Sequence, residues 1–400
     1  MSPMRKFWIA TALLAGITLP VAPALAVGEC HGTSFENWLA SVADEAATRG
    51  ISQSTVDSAL RNVRFDANIV ARDRGQGVFA QSFTEFAGRM VAQYRLDTGR
   101  QLLQKHASLF ERIEQQYGVP GPVIVGFWGL ETDFGANTGD FPTLTALASL
   151  GYDCRRPELF REQLIAALAL IDRGDLRADE MRGAWAGEIG QMQFLPTDYL
   201  ESAVDHDGDG RRNLIKSMPD VLASSANLLR AHGWRAGEPW LEEVRISDDL
   251  PWDQTGLDIR LPRSQWASLG VTRADGSALP GDNLPAAMLL PMGRKGPAFL
   301  AYPNFDVYTN WNKSLVYATT AAYYATRLDG APKMKAGNAE AMGAAEVKQV
   351  QQALVSRGYD VGKVDGIIGA QTRAAIRDVQ LQLGLPADSY PTRELLQKLR

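Results

Sequence analysis

Apolar residues recur at helical spacing along most of the chain. This periodicity predicts helices between residues 34 and 117, several of them opened by a serine or threonine that can cap the first turn. Glycine and prolines at 118–122 then interrupt the pattern, and the continuously apolar residues 123–130 predict a buried helix. Two further helices are predicted at 143–150 and 158–171, so this half of the chain is all α.

The pattern changes after a predicted helix at residues 221–232. Short runs of alternating polarity stand among prolines and glycines between residues 236 and 310, which predicts a small β-containing insertion. Helical spacing then returns, and the small and polar residues 329–344 predict a flexible linker. Three short amphipathic helices are predicted in residues 345–400. The predicted fold is mainly α, with a large domain at residues 27–328 and a small C-terminal module.

Composition is that of an ordinary globular protein with two or three domains. Of its 400 residues, 45% are apolar and 22% are charged. The formal net charge of −5 argues against a nucleic-acid binder, which usually carries a basic surface. The four histidines are scattered, so a histidine-based metal centre is not expected. The sequence contains no Gly-x-Ser-x-Gly motif and no phosphate-binding glycine-rich loop.

The N-terminus has the features of a secretory signal. Two basic residues precede an apolar run at residues 7–19, and small residues at 24–26 offer a cleavage site. We therefore predict a signal peptide at residues 1–26 and a periplasmic location. No small-residue triplet precedes Cys30, and no later stretch is apolar enough to span a bilayer, so no membrane anchor is expected.

Cys30 and Cys154 are the two cysteines of the chain. An oxidising compartment permits a disulfide between them, which would tether the mature N-terminus to the middle of the large domain. Two free thiols are the alternative.

Glu131 is a lone carboxylate at the end of the apolar run that begins at residue 123. Burial of such a group disfavours its charged form and raises its pKa, as a general acid working near neutral pH requires. The alternative is a glutamate at a helix end that points to water. The window around Glu131 leaves both interpretations open.

Two further stretches combine amides with aromatic rings, as a saccharide cleft does. The first stretch leads into a predicted helix at residue 197 and contains Gln191, Gln193, Phe194 and Tyr199. The second contains Trp311, Asn312 and Tyr317. An ordinary turn with solvated glutamines is the alternative for the first stretch, and core residues at helical spacing are the alternative for the second.

An acidic loop matches the start of an EF-hand calcium site. Its carboxylates at positions one, three and five are Asp205, Asp207 and Asp209. Gly210 follows at position six, and Arg211 at position seven would offer its backbone carbonyl. Position twelve is Lys216, so Asp220 would have to close a longer loop. A structural calcium ion is therefore predicted, with a solvated acidic turn as the alternative.

Taken together, these motifs resemble the membrane-bound lytic transglycosylase B family, in an exported form without a lipid anchor. The resemblance covers residues 34–328 and rests on four motifs in the order of the family: Gly126-Phe-Trp-Gly-Leu-Glu131-Thr-Asp-Phe-Gly135, Gly190-Gln-Met-Gln193-Phe-Leu-Pro196, the loop that begins at Asp205, and Asn310-Trp-Asn312. The C-terminal residues resemble a peptidoglycan-binding module through Gly358-Tyr359, Asp365-Gly366, Gly369, Thr372 and Ala375-Ile376.

This resemblance implies a lysozyme-like helical domain that cleaves peptidoglycan strands between N-acetylmuramic acid and N-acetylglucosamine. Glu131 would protonate the glycosidic oxygen and then take the proton of the muramoyl 6-hydroxyl, which gives a 1,6-anhydro product. No cofactor is required for this chemistry, and a monomer acting on glycan strands is expected. Asp133, two positions along the helix, points to a different face.

The resemblance also assigns roles to single residues. Gln193 would contact substrate, and the aromatic and amide wall would include Trp311, which stands where the family more often has tyrosine. Two departures concern substrate contacts, namely Ala184 in place of a serine and Leu228 in place of an aromatic residue. A hydrolytic muramidase and a non-catalytic murein-binding scaffold are the alternative functions.

Overall fold

The computed structural model describes residues 27–75 and 81–400, so the predicted signal peptide at residues 1–26 lies outside the described residues. Helices dominate the first half of the chain, as predicted. Serine caps explain several of their starts, since Ser34 and Ser52 each accept a hydrogen bond from a backbone N–H three residues later. The helices are α1 Phe35–Thr48, α2 Gln53–Leu60, α3 Ala67–Arg74, α4 Phe83–Met90, α5 Gln93–Lys105, α6 Ala107–Tyr117, α7 Gly121–Thr132, α8 Thr143–Tyr152, α9 Pro157–Asp172, α10 Pro196–Ser202 and α11 Met218–Ala231.

Helix α7 is the centre of the large domain. Its residues from Val123 to Leu130 are all buried, which is why the sequence is apolar on every face of this helix. Gly126 and Gly129 allow a close approach by a later helix, because a side chain at Gly129 would reach within 3.0 Å of Tyr324. The helix ends at Asp133, whose φ of 55° turns the chain sharply.

The predicted β-containing insertion is a five-stranded antiparallel sheet with its own core around the fully buried Trp266. Its strands lie in the spatial order β4-β6-β7-β3-β5. Their bounds are β3 Leu241–Arg245, β4 Arg260–Pro262, β5 Thr272–Arg273, β6 Pro285–Leu289 and β7 Ala298–Ala301, with α12 Arg263–Ser268 between β4 and β5. A separate two-stranded pair, β1 Phe141–Pro142 and β2 Arg182–Gly183, lies near the end of α7. Two helices complete the large domain, α13 Pro303–Trp311 and α14 Leu315–Leu328.

The C-terminal module contains three helices, as the sequence predicts: α15 Ala344–Val355, α16 Ala370–Gln382 and α17 Arg393–Lys398. They enclose a separate small core that includes Val350, Leu354, Ile376 and Leu395. No helix in residues 27–75 and 81–400 is long and apolar enough to cross a membrane.

The segment that joins the domains is fixed, in contrast to the predicted flexible linker. The backbone N–H of Lys335 donates to the carboxylate of Glu243 at 2.8 Å, and that of Asn338 donates to the carbonyl of Lys295 at 2.8 Å. Composition did not reveal this, because small and polar residues use their backbone groups here rather than their side chains. The linker is therefore an extended segment that lies along the sheet insertion.

The module also packs against the insertion directly. The buried guanidinium of Arg373 donates to the carbonyls of Leu290 and Pro291, at 3.3 and 2.7 Å. In the other direction, the backbone N–H of Arg294 donates to Asp388 at 2.9 Å. Burial lowers the pKa of Arg373 to about 10. These contacts hold the module in one orientation beside the large domain.

Cys30 and Cys154 form a disulfide, with their Cα atoms 5.7 Å apart. The bridge joins the first described residues of the chain to the turn between α8 and α9. The covalent loop that it closes therefore contains α7 and the other helices from α1 to α8, while α14, which packs on α7, lies outside it.

Candidate active site

The carboxyl group of Glu131 lies in the last turn of α7 and is held by residues from the distant α13–α14 junction. The indole Nε1 of Trp311 donates a hydrogen bond to Oε1 at 2.9 Å, and the hydroxyl of Tyr317 donates to the same oxygen. No hydrogen-bond donor in residues 27–75 and 81–400 reaches Oε2. The two oxygens of this carboxyl group are therefore different: one is fixed, and the other is free to exchange a proton.

Burial raises the pKa of Glu131 to about 7. The hydrogen bonds from Tyr317 and Trp311 favour the charged form and lower the pKa, while the negative charge of Glu188 raises it. Desolvation is the largest of these effects. Both protonation states are populated near neutral pH, so the group can donate a proton and take one back.

An aromatic stack fixes the position of Trp311. Its ring lies on the ring of Phe127 with centroids 4.3 Å apart, and the edge of Phe194 meets it at 5.8 Å. Phe194 is only 2% exposed, so the ring that the sequence places in a saccharide cleft lies behind Trp311 in the core. Its contribution is to orient the donor to Glu131.

Residues 183–194, named here the glutamine loop, are folded by backbone bridges that pair Gly183 with Ile189 and Ile189 with Phe194. The side chain of Gln191 is fully used inside the protein. It accepts a hydrogen bond from Trp128 Nε1 and donates one to the carbonyl of Ile215, each at 3.0 Å. The structure therefore places Gln191 in a supporting position rather than in an open cleft.

Gln193 differs from Gln191, because one end of its amide is free. Its Nε2 donates to the carbonyls of Thr138 and Gly190, at 3.1 and 2.9 Å. Within the described ranges, no donor reaches its Oε1. The φ of 52° at Gln193 is unusual for a residue with a side chain, and such strain is often kept at functional sites.

Of the remaining predicted site residues, Tyr199 supports the protein from inside, like Gln191, and Asn312 keeps a free polar atom, like Gln193. Tyr199 is fully buried, and its hydroxyl donates to the carbonyl of Arg212 and accepts from the N–H of Leu214, so it supports the acidic loop. Asn312 lies at the end of α13, where its Oδ1 accepts from Ser314 N at 2.9 Å. Its Nδ2 has no partner among the described residues and could serve a ligand.

Asp133 is engaged elsewhere and cannot be a second catalytic carboxylate. Its side chain forms an ion pair with Arg95 at 3.0 Å and accepts a hydrogen bond from the hydroxyl of Tyr94 at 3.2 Å. It therefore stabilises the sharp turn after α7.

The acidic loop brings three of the five predicted metal ligands together. Oxygen atoms of Asp205, Asp207 and Asp209 lie within 4.8 Å of one another, a donor set of hard oxygens that suits calcium. Asp220 lies outside this group. It is fully buried, and its carboxylate accepts backbone N–H groups of the loop, including those of His206 at 2.7 Å and Asn213 at 2.8 Å.

The backbone N–H of Arg211 donates to Asp209 at 2.8 Å, while its side chain turns away to Glu180 at 3.1 Å. The loop is also coupled to the glutamine loop. The N–H of Gln191 donates to the carbonyl of Leu214 at 2.9 Å, and its side chain reaches the carbonyl of Ile215. The shape of the acidic loop therefore determines where Gln191, and with it the end of α7, can lie.

Two parts of the chain match known protein families. Residues 34–326 match the family described as Transglycosylase SLT domain, and residues 343–399 match the family described as putative peptidoglycan binding domain. The chain belongs to the transglycosylase SLT domain family.

Relatives of this SLT-domain chain include enzymes with solved structures. SltB3 from Pseudomonas aeruginosa, solved in complex with NAG-anhNAM-pentapeptide, is 38% identical with a TM-score of 0.85, covering 92% of this chain and 100% of that one. Escherichia coli Slt35, solved in complex with calcium, is 26% identical with a TM-score of 0.62, covering 73% of this chain and 92% of that one. Membrane-bound lytic murein transglycosylase B of Escherichia coli (strain K12) is 30% identical over 239 residues, which is 59% of this chain. The chain spans 64% of that relative's length.

Sequence reasoning missed one polar residue of this SLT-domain site, Glu188. It lies in the glutamine loop, where its backbone carbonyl accepts the N–H of Ala184 at 3.1 Å. The available signal was a single charge among the small and apolar residues 186–190. Glu188 is the carboxyl group that acts on the pKa of Glu131.

Proposed function

We propose that the protein is a lytic murein transglycosylase, which cleaves peptidoglycan between N-acetylmuramic acid and N-acetylglucosamine and leaves 1,6-anhydro ends. The observation that supports this most directly is Glu131, a carboxyl with a pKa near 7, one fixed oxygen and one free oxygen. Family membership supports the substrate class, and the NAG-anhNAM ligand of SltB3 supports the product class.

In this mechanism the free Oε2 of Glu131 gives its proton to the glycosidic oxygen as the bond to the anomeric carbon breaks. Negative charge develops on the carboxylate, and the donors of Trp311 and Tyr317 stabilise it. The carboxylate then takes the proton of the muramoyl 6-hydroxyl, whose oxygen bonds to the anomeric carbon. The proton balance closes without water, so one carboxyl serves as acid and then as base.

The free Oε1 of Gln193 and the free Nδ2 of Asn312 would bind sugar hydroxyl and acetamido groups. An exported, periplasmic enzyme is consistent with a peptidoglycan substrate, and the C-terminal module would hold the enzyme on the wall. The disulfide is compatible with an oxidising compartment.

Product analysis tests this proposal. Purified murein incubated with the enzyme is expected to yield muropeptides that end in 1,6-anhydro-N-acetylmuramic acid, detected by liquid chromatography and mass spectrometry. Products that carry only reducing ends, each heavier by one water, would identify a hydrolytic muramidase instead. An absence of any release, with intact binding to sacculi, would favour the non-catalytic scaffold.

We also propose that the acidic loop binds a calcium ion through Asp205, Asp207, Asp209 and the carbonyl of Arg211, with Asp220 shaping the loop. The close carboxylates repel one another without a cation, and calcium in complex with Slt35 supports the choice of metal. The ion would stabilise the folded state and take no part in the chemistry.

Chelation of calcium is therefore expected to lower the melting temperature. A ligand bound only to the folded state at 100 times its Kd stabilises it by about 2.7 kcal/mol, and that contribution is lost on chelation. Differential scanning calorimetry with EDTA and then with excess calcium measures it, and Asp209→Asn should reduce the response. Identical melting curves in EDTA and in calcium would contradict an occupied site.

A further inference from the structure

Gln191 is tied to the last turn of α7, the turn that carries Glu131. Its Oε1 accepts a hydrogen bond from the indole N–H of Trp128 at 3.0 Å, and its backbone carbonyl accepts one from the hydroxyl of Thr132 at 2.6 Å. Trp128 stands three residues before Glu131 and Thr132 directly after it, and both residues are buried. Gln191 therefore holds α7 on both sides of the proposed general acid.

The chain that leaves α7 is strained, and the same contacts hold it in place. Asp133 and Phe134 have φ of 55° and 62°, in the left-handed region that residues with side chains rarely adopt. Such a conformation persists where the surrounding structure over-determines it. Here the hydroxyl of Thr132 accepts the N–H of Gly135 at 2.9 Å while it donates to Gln191. One threonine hydroxyl thus joins the strained turn to the glutamine loop.

Gln191 is packed closely against this turn and is anchored on its other side. A Cβ at Gly135 would lie 2.4 Å from Oε1 of Gln191, so only glycine permits this approach. The N–H of Gln191 donates to the carbonyl of Leu214 at 2.9 Å, and its Nε2 donates to that of Ile215 at 3.0 Å. Gln191 is therefore a bridge of fixed length between residues 214–215 and the end of α7.

The carboxyl group of Glu131 is fixed separately, by residues at the α13–α14 junction. Trp311 and Tyr317 both donate to its Oε1. Because the Gln191 contacts hold the main chain of Glu131 and these donors hold one carboxyl oxygen, the position of Oε2 is determined from both ends of the side chain. Acid–base catalysis depends on such placement, since a displacement of about 1 Å can cost roughly 10²-fold in rate.

We propose that Gln191 is a positioning residue for the cleavage reaction: it clamps the last turn of α7 so that Oε2 of Glu131 lies within reach of the glycosidic oxygen and then of the 6-hydroxyl. This role rests on the proposed function of Glu131 as acid and base. Gln191 acts through α7 rather than by contact with the substrate. The role also accounts for the residue type, because the clamp needs an acceptor for Trp128 and a donor for Ile215 in one side chain, and an amide supplies both.

The first test uses Gln191→Met, which keeps the length of the side chain and removes both hydrogen-bonding ends. On soluble murein fragments, kcat should fall by roughly 10²-fold, the loss expected for a displacement of about 1 Å. KM should stay close to the wild-type value, because Gln193 and Asn312 keep their own anchors. The matched control is Gln163→Met, which removes an amide on α9 that is bound at both ends by Thr197. This control should lose stability and keep the wild-type kcat.

A second pair of variants keeps the test independent of whether Gln191→Met folds. Thr132→Val has nearly the same volume as the wild-type side chain and lacks the hydroxyl that donates to Gln191, so kcat should fall here as well. Thr132→Ser keeps that hydroxyl and should restore most of the wild-type rate. A wild-type kcat in both Gln191→Met and Thr132→Val would overturn the proposal.

Nuclear magnetic resonance gives a readout that is independent of catalysis. The indole N–H signal of Trp311, identified as the one missing in Trp311→Phe, reports the hydrogen bond to Oε1 of Glu131. This signal should move upfield in Gln191→Met, as that hydrogen bond lengthens, and should stay in place in Gln163→Met. An unmoved signal in Gln191→Met, or an equal shift in Gln163→Met, would contradict the positioning role. If the wild-type enzyme released no product from murein, the proposed function would fail, while the Trp311 signal would still decide whether Gln191 positions Glu131.

Discussion

Glu131→Gln is expected to lower the rate of murein cleavage by roughly 10³-fold or more, within the range by which positioned acid–base groups accelerate reactions. The amide has nearly the same shape and can still accept the hydrogen bonds of Trp311 and Tyr317, so the site should keep its geometry. It cannot deliver a proton to the glycosidic oxygen or remove one from the 6-hydroxyl. Release of anhydro-muropeptides, followed by liquid chromatography, measures the loss.

The matched control is Glu111→Gln, an exposed carboxylate on α6, which should leave the rate unchanged. Sacculus binding by Glu131→Gln should also be unchanged, because the C-terminal module is untouched. Anhydro products formed at the wild-type rate by this variant would remove Glu131 from its assigned role.

The same variant has a predictable effect on stability. The pKa of Glu131 is higher in the folded state than in the unfolded chain, so the folded state binds more protons between these two values. Stability of the wild-type protein therefore falls as pH rises from about 4.5 to about 7 through this group, whose ordinary pKa is 4.5. Glu131→Gln has no titrating group at this position and does not lose stability in this way. The difference between its melting temperature and that of the wild type should therefore increase in favour of the variant as pH rises over that range.

The site could be predicted in part because residue types carry their chemistry with them. A carboxylate at the end of an apolar helix implied a raised pKa, and alternate aspartates around a glycine implied a hard cation. The partners of each polar group could not be predicted, because they come from distant segments. Gln191 was assigned to substrate for its amide, yet Trp128 and Ile215 use both ends of that amide.

The fold, like the site, could be predicted where it depends on local sequence pattern and not where it depends on contacts between distant segments. Periodicity predicted the helices, the small sheet insertion and the three-helix module, since each of these buries an apolar face that the sequence displays. It could not predict that the linker is bound, because its contacts are made by backbone N–H groups. Nor could it find Arg373, whose guanidinium is buried against carbonyls of a segment that lies about eighty residues away in the chain.

Tyr317→Phe is expected to reduce kcat by roughly 10²-fold, the loss typical for one preorganised donor to a developing negative charge. As the proton leaves Glu131, charge develops on a carboxylate whose Oε1 accepts the Tyr317 hydroxyl. Phenylalanine fills the same space and leaves Trp311 as the single hydrogen-bond donor to Glu131 among the residues that the structure describes. Helix α14 should be unaffected, since the hydroxyl is the only group removed.

The Tyr317→Phe variant also shifts the pH dependence of cleavage in a defined direction. The Tyr317 hydrogen bond lowers the pKa of Glu131, so its removal raises that pKa above about 7. The acid form then persists to higher pH, and the basic limb of the profile of kcat/KM against pH should move to higher pH. Tyr323→Phe is the matched control, because its hydroxyl lies on the same helix and binds the backbone of Met334 instead. A Tyr317→Phe enzyme with the wild-type rate and limb would show that this hydroxyl does not act on Glu131 during the reaction.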